Sequence, residues 1–363
     1  MSAPAPLRGH RVIDLSQYIA GPLCAQLLAD FGAEVVKVEP AGGDPSRALP
    51  GTAHGSIYFR SYNTSKDSTV LDLRSDEGRA ALDRMLESSS ALVVNFDRRS
   101  LEALRLTWAE VHARHPHLVM AVVTGYGADQ ARGCMDSIAQ CVSGYGLLNA
   151  DEDGTPRVAA GYPTDILSGL YAAIGTAMAL CDAQRSDGVL VDVAMLEVAI
   201  ASLCGPDMLL AVDGQDVPHG AGSRDRAAAP CNVYRCRDGF CFVYAGLDKH
   251  WNRIRPLIDG PELGLDERLA RARELDLLVE SWTREHTVAE VARAMEERHI
   301  PAGVVVDIPE ALRQLLALRP DAGAPRDHGG EPVPVLPVRF SGARTPRRAA
   351  PAIGAGAVPG GAR

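Results

Sequence analysis

Short β-type apolar runs and helix-spaced apolar residues alternate through the first half of this chain. Residues 11–15 (RVIDL) form a brief apolar run, 22–31 (PLCAQLLADF) place apolar residues at helical spacing, and 34–39 (EVVKVE) return to a β-rich run. Pro22 suits the first turn of the helix, where a missing N–H is harmless, and Gly32 suits its end. The pattern repeats as strand 68–73, helix 76–88, strand 91–95, helix 100–113 and strand 118–124. Helices near 137–148 and 165–181, strand 189–193 and a helix from 195 follow. Strands joined through helices run parallel, so the alternation predicts an α/β fold with a parallel, doubly wound sheet in a large domain spanning 1–210.

Periodicity is lost over 211–230 (AVDGQDVPHGAGSRDRAAAP), which reads as a connector between two cores. Beyond it, CNVYRC and FCFVYA flank Arg237-Asp238-Gly239, and Asp-Gly tolerates the positive φ of a tight hairpin turn. Thr287 followed by Glu290 predicts a capping box at the start of a helix over 288–298. Residues 231–307 are therefore expected to form a smaller α+β domain, with 308–363 returning to the large one. The last stretch, AAPAIGAGAVPGGAR, holds few large apolar groups and is expected to fray.

Composition narrows the function. The 363 residues carry 46% hydrophobic and 23% charged side chains, as packed globular proteins do. A formal charge of -9 disfavours non-specific nucleic-acid binding, so an anionic ligand must find a local basic pocket. The eight cysteines form no C-x-x-C pair, and Cys231, Cys236 and Cys241 on the hairpin are expected to pack as small hydrophobes; neither a disulfide framework nor a metal site follows. No apolar signal core opens the chain, and the run 167–181 is shorter than the ~20 residues of a membrane span. A cytoplasmic protein without membrane or nucleic-acid partners is expected.

The first strand-to-helix turn reads Ser16-Gln17-Tyr18-Ile19-Ala20-Gly21-Pro22, without the G-x-G-x-x-G that brings a dinucleotide pyrophosphate to the backbone. A nicotinamide-dependent dehydrogenase is disfavoured, though helix N–H groups beside Gly21 could still hold an oxyanion or phosphate.

Several segments, in order and covering nearly the whole chain, resemble the family III CoA-transferases, the formyl-CoA and carnitine CoA-transferase type with the α-methylacyl-CoA racemases as relatives. They include VIDLSQYIAGPLCAQLLADFGAEVVKVEPAGGDPSR, YFRSYNTSKDSTVLDLRSDEGR, MDSIAQCVSG, GYPTDILSGLYAAIG and VDVAMLEVA, with APCNVYRCRDGFCFVYA and ERHIPAGVV beyond the connector. The resemblance implies a Rossmann-like large domain, a small domain inserted late, and an interlocked homodimer that uses coenzyme A as substrate and carrier, exchanging it between an acyl-CoA and a small carboxylic acid.

By the same resemblance Asp165, in the motif Tyr162-Pro163-Thr164-Asp165, is the catalytic carboxylate, passing through a mixed anhydride and an aspartyl-CoA thioester. Read locally, Asp165 is an ordinary helix N-cap. The resemblance makes Asp136 the second catalytic residue, at an acidic position beside the thioester, where an N-cap role is again the local alternative. Gln17, Tyr18, Ala20, Leu71, Arg74, Asn95, Phe96, Met135 and Met195 match CoA contacts, and Lys66, Arg98 and Arg99 add positive charge for its phosphates. The racemases carry a histidine base where this chain has Met135, which cannot move a proton. The stretch 127–136 is shorter than the usual loop, the glycine tetrad of the formyl-CoA transferases is missing, and the C-terminal end is curtailed. A racemase or a non-catalytic acyl-CoA-binding homologue remain the alternatives.

Overall fold

The computed structural model describes residues 3–323 and 332–355. Its parallel sheet contains β1 (Arg11–Asp14), β2 (Glu34–Glu39), β3 (Asp67–Val70), β4 (Ala91–Val94), β5 (Val119–Thr124) and β6 (Val189–Ala194). They lie in the order β3-β2-β1-β4-β5-β6, so the chain reverses direction across the sheet between β1 and β4. Helix α1 (Ala20–Asp30) follows β1, α2 (Asp76–Glu87) follows β3, and α3 (Arg98–Leu104) and α4 (Trp108–Arg114) follow β4. Helices α5 (Asp136–Val142) and α6 (Pro163–Cys181) lie between β5 and β6, and α7 (Met195–Leu203) comes last.

The alternation of strand side chains divides the core into two layers. Val12, Val35, Val93, Ala121 and Val123 pack with Cys24, Leu28, Ala172 and Ala173 of α1 and α6. Ile13, Val36, Leu92, Val94 and Val122 face the opposite way, against Leu82 and Leu86 of α2, Leu101 of α3 and Val111 of α4. Both faces are covered, which is why β4 and β5 are apolar throughout rather than alternating.

One expected helix, 100–113, is two. Arg105 takes a left-handed conformation that ends α3, and Thr107 with Glu110 closes a reciprocal capping box that starts α4. The expected helix over 137–148 also breaks, at Gly144 with φ 86°.

Beneath the β1–α1 turn sits a charge-balanced cluster buried on all sides. Lys66 Nζ donates to Asp14 Oδ2, to Asn63 Oδ1 and to the Pro22 carbonyl, each at 2.8 Å. Lys37 Nζ donates to the Ser16 carbonyl at 2.7 Å and pairs with Asp44 Oδ2 at 3.0 Å. Burial alone would raise the Asp14 pKa, but Lys37 and Lys66 outweigh it and hold the carboxyl below its usual range. Burial pulls the Lys66 ammonium down to about 8 against the attraction of Asp14. Removing one member of such a cluster typically costs about 3–5 kcal/mol, because its partner is left charged and unpaired.

A second compact unit comprises Gly146–Arg157 and Leu210–Leu318. Strands Cys231–Arg235, Phe240–Tyr244 and Ala302–Val304 form an antiparallel sheet, with Phe240–Tyr244 in the middle. Cys236 N donates to the Gly239 carbonyl at 2.8 Å across the hairpin turn, and Thr287 and Glu290 form the capping box. Cys231, Cys236 and Cys241 are buried free thiols, the latter two beside Tyr234, Trp251 and Leu275. The unit differs from the expected 231–307 in three places, the first being the expected connector 211–230, which belongs to it. Gly146–Arg157 joins it, through Gly222 N to the Ala150 carbonyl and Arg224 to Glu152. Helix Ile308–Leu318 also stays with it, and the return begins at Arg319 rather than 308.

Residues 349–355, expected to fray, are instead tied down. The Pro351 carbonyl accepts from Arg47 at 3.1 Å, Gly354 N donates to Ser68 Oγ at 3.0 Å, and Arg347 and Arg348 just before them pair with Asp30 and Asp67. Backbone groups and preceding arginines supply what the small side chains lack. The remainder of the expected frayed tail, 356–363, lies outside the described residues.

Candidate active site

The loops after β1 and β4 diverge at the sheet's carboxyl edge, where open α/β sheets form ligand crevices. Asn95, just beyond β4, ties them together: Gln17 N donates to Asn95 Oδ1 at 2.8 Å, and Asn95 Nδ2 donates to the Gln17 carbonyl at 2.7 Å. Tyr18 is held at φ 65°, a costly conformation for a bulky residue, and its N–H points to Asp44 Oδ1 at 3.4 Å. The buried Lys37 contact to the Ser16 carbonyl fixes the turn from below.

A cavity of about 240 Å³ opens at this point. Gln17, Tyr18, Ala20, Asn95, Phe96, Met135, Asp165 and Met195 all line it, with Thr124, Arg132 and Cys134. Leu71 and Arg74 lie apart from that group in a second cavity of about 430 Å³, which shares Gln17, Phe96 and Ser100 with the first. Lys66 cannot supply surface charge for phosphates, since it is enclosed with Asp14. Arg98 is taken by Glu102 at 2.7 Å and Asp129 at 3.2 Å. Arg99 lies on α3, outside both sets of lining residues.

Helix packing carries Asp165 to this cavity. A Cβ on Gly169 would lie 2.6 Å from the Ala20 carbonyl oxygen, so only glycine lets α6 cross the start of α1 so closely. Asp165 is the third residue of α6 rather than its N-cap; Tyr162 holds the cap position at φ 60° and its side chain caps nothing. Asp136 supplies the cap from another helix. Its Oδ1 accepts from Thr164 N at 2.8 Å, Thr164 Oγ1 at 2.5 Å and Asp165 N at 3.2 Å. Its Oδ2 accepts from Gln140 Nε2 at 2.5 Å, and Gln140 also bonds both polar backbone atoms of Ala159. Asp136 is thus the first residue of α5, without a cap role on that helix, and is 4% exposed.

The two carboxylates therefore differ in kind. Asp136 is enclosed and saturated with donors, whereas Asp165 accepts no hydrogen bond among the described residues and faces the cavity. Burial, then the charge of Asp136, push the Asp165 carboxyl up to about 7. Such a group is a strong nucleophile or base once ionised. Gln140, four residues after Asp136 on one helical face, carried a spacing signal that could have been read; Arg132 and Cys134 carried none. Among the described residues no cluster of His, Cys, Asp and Glu is arranged to hold a metal ion.

The profile of CoA-transferase family III matches residues 7–356. The succinyl-CoA–D-citramalate CoA-transferase of Chloroflexus aurantiacus is 33% identical over 85% of this chain and 80% of its own length. The succinate–glutarate CoA-transferase of Agrobacterium fabrum is 32% identical over 84% of this chain and 81% of its own. Among solved structures, a CAIB/BAIF family protein from Brucella suis superposes with a TM-score of 0.81 at 26% identity, covering 97% of each chain.

The raised pKa has a thermodynamic consequence. A carboxyl whose folded pKa lies above its unfolded value of about 3.9 stabilises the fold below that value, and the contribution is lost as pH rises through about 7. Asp165→Asn, which never ionises, is expected to be more stable than the parent protein at pH 8. The gain is roughly 1–3 kcal/mol after allowing for partial exposure, and it shrinks toward zero near pH 4. Denaturant titrations at the two pH values check this, and an unchanged difference between them contradicts it.

Proposed function

The chain belongs to CoA-transferase family III, and from that premise we propose that Asp165 is the carboxylate through which CoA passes from an acyl-CoA donor to a carboxylic acid acceptor. One observation carries the assignment. Asp165 is a carboxylate on the cavity wall, presented by the first turn of α6 and left without a hydrogen-bond donor among the described residues, so its lone pairs are available to a substrate.

In this reading the ionised Asp165 attacks the thioester carbonyl and expels CoA thiolate, leaving a mixed anhydride between Asp165 and the donor acyl group. The thiolate then attacks the Asp165 carbonyl of that anhydride, releasing the donor as a free carboxylate and leaving an aspartyl-CoA thioester. An incoming acceptor carboxylate attacks this thioester, forming a new anhydride and freeing thiolate again. Attack of the thiolate on the acceptor carbonyl gives the new acyl-CoA and restores Asp165. In each step a carboxylate and the CoA thiolate trade places on an acyl carbon, and over the cycle one carboxylate replaces another on CoA, so no net proton or electron is consumed. Asp136 does not react; it holds the first turn of α6 and raises the basicity of its neighbour.

CoA would lie along the edge formed by Gln17, Tyr18 and Ala20, with Met135 and Met195 beside it and Asn95 and Phe96 toward the adenosine end. Leu71 and Arg74, in the adjoining cavity, would take the adenosine and its phosphate. The side chain of Asn95 is already committed to the Gln17 backbone, so its part is to shape the edge. The free thiols suit a reducing, cytoplasmic setting.

A homodimer completes the reading. By length and composition α6 could cross a membrane, yet Gly169, Ala172 and Ala173 are buried, while Leu170, Tyr171, Ile174 and Met178 stand exposed along its other side. Ile138 and Val142 of α5 are exposed as well. An apolar stripe of this kind suits cover by a second copy of the chain. Sedimentation at micromolar concentration is expected to show a dimer, and a monomer alone would contradict that assembly.

Activity tests the main assignment. Incubated with a panel of acyl-CoAs and free acids, the protein is expected to form new thioesters identifiable by mass spectrometry. Asp165→Asn should bind CoA with unchanged affinity by calorimetry while losing transfer by about 10³-fold or more. Full transfer in that variant would show that another residue carries the chemistry.

A further inference from the structure

Arg132 lies between β5 and α5, on the wall of the cavity that holds Asp165. A Cβ on Gly125 would lie 2.1 Å from Cys134 Cβ, so the end of this loop is pressed against the residues leaving β5. The Arg132 guanidinium sits over the Tyr126 ring, 4.5 Å from its centroid. Stacking covers one face of the group and holds it while leaving the N–H edge open for in-plane, two-point contact with a carboxylate.

No carboxylate among the described residues pairs with Arg132. Arg98 is engaged, with Glu102 at 2.7 Å and with Asp129, which belongs to the same loop as Arg132, at 3.2 Å. The acids of the cavity are engaged as well. Asp97 accepts from Ser100 N at 2.8 Å as the cap of α3, and Asp165 is the reacting group of the proposed function. A substrate that brought a further negative charge into this cavity would meet Asp97 and Asp165 on its walls, with Asp136 behind. Arg132 is the cavity's one cation among its lining residues.

We infer that Arg132 is a specificity-determining residue that receives the second carboxylate of a dicarboxylic substrate, with the thioester end at Asp165 and the free carboxylate at the stacked guanidinium. The inference rests on the CoA-transfer reading above and adds the class of acid that the site prefers. The cavity, about 240 Å³, is smaller than typical ligand pockets and favours a short chain between the two ends. Because donor and acceptor acids occupy the same place in turn, one arginine selects both.

The competing use of the same chemistry is a phosphate of CoA, and matched esters separate the two. Transfer by the intact protein, Arg132→Gln and Arg132→Lys is compared with succinyl-CoA and with butyryl-CoA, which has the same chain length but no second carboxylate. CoA affinity is measured alongside by calorimetry. Arg132→Gln is expected to lower kcat/KM for succinyl-CoA by about 10- to 100-fold, as loss of a charge-assisted hydrogen bond does. Butyryl-CoA should change by less than about threefold, CoA affinity should hold, and Arg132→Lys should restore part of the loss. Equal loss with both esters together with weakened CoA binding would overturn the inference and put the guanidinium on a phosphate, leaving the role of Asp165 intact. Unchanged kinetics with both esters would also overturn it. An intact protein that transfers from no ester would remove both this inference and the reading on which it rests.

Discussion

The carboxylate of Asp136 is the contact on which the geometry of this site depends. Helix α6 begins at Tyr162, whose left-handed backbone delivers the chain at the right angle but leaves the first N–H groups of the helix without a side-chain cap. Asp136, reaching across from α5, accepts from Thr164 N and Asp165 N, and from the Thr164 hydroxyl. Gln140 holds its other oxygen and anchors the Ala159 backbone. One buried charge thereby ties together α5, the segment before α6 and the residue proposed to react. The same charge makes Asp165 reluctant to ionise. Asp136 sets the position of Asp165 and adds to the effect of burial on its basicity, so a neutral replacement at 136 would alter both.

The turn between β1 and α1 supplies the opposite wall of the cavity by similar means. The Asp14, Lys37 and Lys66 cluster clamps the end of β1 to β2 and to the approach to β3, and through the Ser16 and Pro22 carbonyls it holds both ends of the turn bearing Gln17 and Tyr18. The mutual exchange between Gln17 and Asn95 then fixes that turn to the loop after β4. Gly169 allows α6 to approach Ala20 closely, which sets Asp165 against this turn. The walls are thus rigid where the thioester would sit, as electrostatic stabilisation of a transient oxyanion requires.

How much was legible beforehand follows from which interactions are local. The parallel sheet and its helices were readable because strand alternation and helical spacing are properties of neighbouring residues. The split at Thr107 was readable too, since Thr107 and Glu110 form a local capping box that a longer apolar period concealed. The burial of Lys66 was not, because its partner Asp14 is 52 residues away and nothing in its own segment marks it as interior. Asp165 and Asp136 both read locally as N-caps, and both local readings fail for one reason: the cap of α6 comes from a residue 28 positions earlier than Thr164. Arg132 was invisible for a related reason, since its place on the cavity wall without a paired carboxylate among the described residues is defined only by the folded arrangement. The attachment of 146–157 to the second unit likewise depends on bonds to 222–224 that no local pattern announces.

Covalent activation of Asp165 during turnover can be read directly from the protein. An acyl-CoA donor is supplied without acceptor, hydroxylamine is added to trap any anhydride or thioester, and peptides are mapped by mass spectrometry. The account predicts a hydroxamate on the peptide containing Asp165, dependent on the donor and absent in Asp165→Asn. A hydroxamate found on another carboxylate, or none despite measurable transfer, would contradict it.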